Sequence, residues 1–143
     1  MDRFVIDVSV IMKWVIGNAE EPDQQIAISL LKTWAANEVE LFAPALWEYE
    51  AGNFLGRELP QEARDKMQHL LNLNIATVDL SFEMFQNCFE WMAKKTVTFY
   101  DASYLAVALE RQAILVTADA KFVEKMGKEY PVCQLKKLYI SST

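Results

Sequence analysis

The chain has 143 residues, 52% of them hydrophobic and 24% charged, with only four glycines and four prolines. That balance fits one folded domain with a sizeable core and excludes a disordered, collagen-like or linker-rich chain. Fourteen basic against twenty acidic residues give a net charge of −6. A broad basic nucleic-acid-binding face is therefore not expected, and a phosphate-rich partner would need a local device such as a metal ion.

The opening segment, MDRFVIDVSVIMKW, is not expected to be a secretory leader, because Asp2, Asp7 and Lys13 interrupt its apolar run. Within it, Arg3–Asp7 reads as a short strand ending in a carboxylate, and residues 9–16 as a helix with Ser9 as a candidate N-cap. Pro22 suits the first turn of a helix to about Asn37. Glu40–Ala43 reads as a second strand. Pro44 opens a helix through Leu59, and Pro60 begins the next, to about Asn72. Ile75–Val78 is a third strand, and Ser81 caps a long helix to about Lys95. Residues 99–111 form another helix and Ala113–Thr117 a fourth strand. Asp119 starts a short helix ending near Gly127, and Val132–Leu135 is compatible with a fifth strand. No run reaches the ~20 apolar residues of a membrane span.

Apolar strands separated by helices predict a single α/β domain over residues 1–143 whose mainly parallel sheet is covered on both faces. Ligand sites in such sheets lie at the carboxyl ends of the strands. That rule singles out Asp7, Thr117 and Asp119. Cys88 and Cys133 lack metal-ligand spacing and read as reduced, buried thiols of a cytoplasmic protein. His69 is the only histidine, so a His-based triad or multi-His metal site is excluded.

Five polar positions are unexpected if packing alone mattered: Asp7, Glu50, Asp101, Thr117 and Asp119. Each has a bland reading. Asp7 and Asp119 fit helix caps, Asp101 sits three after Thr98 as in a capping box, and Glu50 fits an outer helical face. Together they fit a different account. Carboxylates about 5 Å apart repel by about 3 kcal/mol at an effective dielectric of about 20. A converging set must bind a cation or take up protons. All-oxygen ligands suit Mg²⁺ or Mn²⁺ rather than zinc, and such ions serve phosphodiester chemistry.

The order of these residues resembles the PIN-domain family and, within it, the VapC-type toxin ribonucleases of toxin–antitoxin pairs. VIDVSVIMKW at 5–14 is similar to the opening motif, with Asp7 and the supporting hydroxyl of Ser9. PALWEYEAGNFL at 44–55 is similar to the second, with Glu50 and Asn53; Glu48 competes with Glu50 but points about 200° away on a helix. TFYDASYLAVAL at 98–109 and LVTADAKF at 115–122 resemble the third and fourth, placing Asp101, Thr117 and Asp119.

The resemblance implies a PIN-like three-layer α/β/α fold with about five strands. It implies a cleft in which Asp7, Glu50, Asp101 and Asp119 hold Mg²⁺ or Mn²⁺, with Ser9, Asn53 and Thr117 in support. The implied activity is RNA hydrolysis leaving a 5′-phosphate, blocked by a VapB-like antitoxin, in a homodimer. Lys13, Arg57, Lys94, Lys95 and Lys121 lie near the motifs and are candidates to contact the RNA backbone, although each also reads as a solvated surface charge. The helix from Phe82 to Lys95 carries two apolar stripes, Phe82/Phe85/Phe89/Met92 and Met84/Cys88/Trp91. The surplus stripe fits either a partner interface or burial between neighbouring elements. A phosphoacceptor receiver and a haloacid-dehalogenase-like phosphatase fit less well, because strand one is followed by one aspartate and Ser9 takes the place of a second. A non-cleaving PIN-like module that binds RNA or protein is the other reading.

Overall fold

A computed structural model describes residues 1–17 and 20–140. Five strands, β1 (Asp2–Ile6), β2 (Val39–Pro44), β3 (Ala76–Val78), β4 (Ile114–Thr117) and β5 (Val132–Gln134), form one sheet in the order β3-β2-β1-β4-β5. Every pairing is parallel, as apolar strands covered on both faces require. Phe4, Val5 and Ile6 of β1 are almost fully buried at the sheet centre.

The helices are α1 (Val8–Lys13), α2 (Gln24–Ala35), α3 (Trp47–Glu58), α4 (Ala63–Asn72), α5 (Phe82–Lys95), α6 (Phe99–Glu110) and α7 (Ala120–Met126). A 3₁₀ turn, Leu135–Lys137, follows β5. The chain steps outward from β1 to β3, then crosses to β4 on the other side of β1. Right-handed crossovers therefore put α1–α4 on one face and α5–α7 on the other, the three-layer α/β/α arrangement. The direction of winding reverses between β1 and β4, so a crevice opens at their carboxyl ends. Phe4 faces Ile114 and Ile6 faces Val116 in this pairing, which sets Asp7 beside Thr117.

Several boundaries differ from the sequence reading, among them the start of α4 at Ala63 rather than Pro60. Of the two candidate caps, Asp7 rather than Ser9 is the N-cap of α1: its backbone N–H still donates to Val116 O in the sheet, while its side chain accepts from Ser9 N. Both residue types cap well, and the end of the β1–β4 ladder decides between them. Pro44 closes β2 opposite Val78 rather than opening α3, a strand-end position that needs no N–H. The helix α2 begins at Gln24, after Asp23 in left-handed backbone (φ 59°), rather than at Pro22.

The interior of α6 is buried all round from Ala102 to Ala108, packed on β1, β2 and β4 with α5 outside it. Helix α5 is not enclosed. Its Met84, Cys88 and Trp91 are buried, whereas Phe82, Phe85, Phe89 and Met92 lie on the surface. Burial between neighbours is thereby removed as an account of the second stripe. Cys88 is buried, but Cys133 is only half-buried, because β5 is an edge strand. No helix among the described residues is long and apolar enough to cross a membrane.

Candidate active site

The crevice between β1 and β4 is scaffolded by one hydrogen-bond network. Oδ2 of Asp7 accepts from Ser9 N (3.2 Å), Ser9 Oγ (2.5 Å) and Thr117 Oγ1 (3.2 Å). Each hydroxyl also accepts in turn: Ser9 Oγ from Ala118 N and Thr117 Oγ1 from Asp119 N, both at 3.1 Å. Asp119 caps α7, its Oδ1 accepting from Lys121 N and Phe122 N. The Ser9 and Thr117 hydroxyls thus lock the turn after β4 to the turn after β1. Thr117 is 2% exposed, so its hydroxyl needs these partners.

The other two acids come from helices. Asp101 lies in the first turn of α6, where Thr98 Oγ1 accepts from the Asp101 N–H. This is half of a capping box, and it leaves the Asp101 carboxylate for another role. Glu50 lies in the first turn of α3, and its Oε1 accepts a 2.6 Å hydrogen bond from the Tyr104 hydroxyl on α6. A cavity of about 10 Å³ is lined by Asp7, Asp101, Thr117, Asp119 and Tyr104, with Leu115 and Phe122 as apolar walls. That volume is about the space one water occupies.

The acids feel one another. Burial, then the Asp7 and Asp101 charges, raise Glu50 from its ordinary 4.5 to about 6, against the lowering effect of the Tyr104 bond. Asp101 is raised by burial and then by Asp7 and Asp119, with Lys125 opposing. Asp7 is raised by burial, which outweighs its hydrogen bonds from Ser9 and Thr117. Such a cluster gains by binding a cation, and its donors are all oxygens, as Mg²⁺ and Mn²⁺ prefer. The donor set thus fits these ions in kind. As the side chains stand, no group of three or more His, Cys, Asp or Glu residues among those described is arranged to hold a metal.

Of the supporting residues, Ser9 and Thr117 join the network, but Asn53 does not. It is exposed and makes no hydrogen bond to the acids, because it lies a turn beyond Glu50 on α3. Lys13 is also corrected. It is 6% exposed, and its Nζ is held by Glu21 Oε1 (2.8 Å) and Pro22 O (2.7 Å). A lysine so paired can be buried, and it fastens the loop after α1 rather than reaching RNA. Arg57, Lys94 and Lys95 pair with Glu58, Glu90 and Glu129, and Lys121 is exposed at the start of α7. Sequence reasoning passed over Tyr104 and Lys125. A tyrosine in an otherwise apolar helix, three residues after Asp101, was a usable signal for the first; nothing in the sequence marked the second.

A family model described as PIN domain matches residues 4–128. No curated protein matches the chain. Among solved structures, VapBC2 from Rickettsia felis, bound to a DNA fragment from its promoter, aligns with a TM-score of 0.66 at 15% identity, covering 92% of this chain and 98% of that one. FitAcB from Neisseria gonorrhoeae aligns at 0.67 and 13% identity, covering 94% and 99%. VapC20 from Mycobacterium tuberculosis, described as a sarcin-ricin loop cleaving toxin, aligns at 0.62 and 18%, covering 83% and 92%. At these identities the likeness speaks for the fold.

Proposed function

The chain belongs to the PIN domain family, and from that premise we propose that it is a metal-dependent endoribonuclease of the VapC toxin type. The observation that carries the reading is the convergence of Asp7, Asp101 and Asp119 on one water-sized cavity, with Glu50 coupled to two of them. Asp7, Asp101 and Asp119 would hold Mg²⁺ or Mn²⁺, and Glu50 would complete the set or orient the attacking water. A bound ion supplies a water of lowered pKa and offsets charge on the phosphate. Ser9 and Thr117 hold Oδ2 of Asp7, which fixes the direction of its carboxylate before any ligand arrives. Arg57, Lys94, Lys95 and Lys121 are the surface cations left to meet the RNA backbone.

The acidic balance of the chain supports a metal-assisted mode of phosphate binding over a basic groove. The VapBC2 neighbour supports a VapB-like antitoxin as partner, and a cytoplasmic setting follows from that role. The aromatic stripe on α5, with Phe82 75% and Phe89 56% exposed, supports a homodimer through that face. Replacement Phe89→Glu is expected to shift the sedimentation coefficient from dimer to monomer; an unchanged value would move the interface elsewhere.

The alternative is a PIN-like module that binds without cutting. The test is cleavage of a mixed RNA pool, including tRNA and rRNA, with Mn²⁺, with EDTA and by Asp101→Asn. Metal-dependent cutting by the wild type alone supports the nuclease. RNA retained but uncut by metal-loaded protein supports the binding module.

A further inference from the structure

Tyr104 is 1% exposed, inside the buried stretch of α6. Packing alone needs no hydroxyl there, since phenylalanine offers the same ring. A buried hydroxyl must find an acceptor or lose the hydrogen bonds it made to water. Its acceptor is Glu50 Oε1 at 2.6 Å, on a helix 54 residues earlier in the chain. The same tyrosine lines the cavity that Asp7, Asp101 and Asp119 share. Among the described residues no other group hydrogen-bonds the Glu50 carboxylate, so this contact alone ties it to the acidic set. Glu48, also half-buried in the first turn of α3, has no such tether.

We propose that Tyr104 is a positioning residue that selects Glu50 over Glu48 and holds its carboxylate in place for metal binding. The inference rests on the nuclease reading and adds a residue outside the four acids and their supporting set. A glutamate has several rotatable bonds, and fixing one costs entropy at the moment of binding. The Tyr104 bond meets that cost in the folded protein. It engages Oε1 and leaves Oε2 without a protein donor. An O–H···O⁻ contact of this length is a strong, directional bond.

The test is Mn²⁺ binding, read from the electron paramagnetic resonance signal of the free ion. Wild type, Tyr104→Phe, Glu50→Ala and the double variant are titrated, with thermal melts alongside. Tyr104→Phe is expected to weaken Mn²⁺ binding by about tenfold, the lower end of what outer-shell partners contribute. In the Glu50→Ala background the same change is expected to add nothing, because the two act as one unit. Unchanged affinity in Tyr104→Phe, or an equal loss with and without Glu50, would overturn the proposal. A purely structural role would lower the melting temperature and leave the affinity alone. If Tyr104→Phe does not fold, Glu50→Asp keeps the charge but withdraws it from the hydroxyl, and the same tenfold loss is expected; wild-type affinity in that variant would overturn the proposal. Failure of the wild type to bind Mn²⁺ would instead sink the metal-nuclease reading and this inference with it.

Discussion

The two sides of the crevice are built differently. On the strand side, Asp7, Ser9, Thr117 and Asp119 sit at the ends of neighbouring strands and are joined by side-chain and backbone hydrogen bonds. On the helix side, Glu50 stands on α3, which packs on α1 and α4, and Asp101 on α6, which packs on the sheet and α5; one hydroxyl spans the gap to Glu50. The strand side is over-determined, whereas a single side-chain hydrogen bond joins α6 to Glu50 on α3. A sheet register fixes positions to within a bond, whereas a helix pair fixes only a face.

The largest expected effect ignores that difference. Asp7→Asn and Asp101→Asn, one from each side, should each lower metal-dependent cleavage by more than about 100-fold, beyond what outer-shell losses produce. If only one did so, the two sides would not share a site. Thr117→Val breaks the strand side alone. It removes the bond to Asp7 and leaves the Asp119 N–H without its acceptor. A loss of about 10- to 100-fold in cleavage and about 1–3 kcal/mol in chemical-denaturation stability is expected.

The acids also predict a pH dependence. Glu50 rises from 4.5 to about 6 on folding, so the folded state binds more protons between those values. Stability of the metal-free protein should therefore fall as pH rises from 5 to 7.5, with the penalty complete above about 6. Allowing for solvent screening of a half-buried group, Glu50 contributes on the order of 1 kcal/mol, which Glu50→Gln should remove from melts compared at the two pH values. Asp7, raised by burial, and Asp101, raised by burial and by Asp7 and Asp119, act in the same direction. The smallest effect is expected at Asn53, on α3 but off the site: Asn53→Ala should leave cleavage within twofold of wild type. A large loss there would restore it to the helix side.

The same division explains what was legible in the sequence. Asp7 and Thr117 could be read because a parallel sheet presents its strand ends to the ligand, and strands β1 and β4 are plainly apolar. Asp101 and Glu50 stood out as acids in apolar helices, but periodicity does not say which helix faces meet. The choice of Glu50 over Glu48 depends on Tyr104, a contact over 54 residues. Lys13 misled for a related reason. Its partner Glu21 comes from the loop after α1, and no local pattern shows that the loop folds back. The second stripe of α5 was visible as surplus, and only packing shows which stripe turns inward.

Both sides of the crevice are proposed to form one metal-dependent site for cutting RNA. Its most direct test is the rate of Mn²⁺-dependent cleavage of a mixed RNA pool by wild type and by Asp101→Asn, with the product ends mapped. Expected are 5′-phosphate ends from the wild type, none above background from Asp101→Asn, and no cutting in EDTA. Equal cutting by wild type and variant, or cutting that survives EDTA, would contradict it.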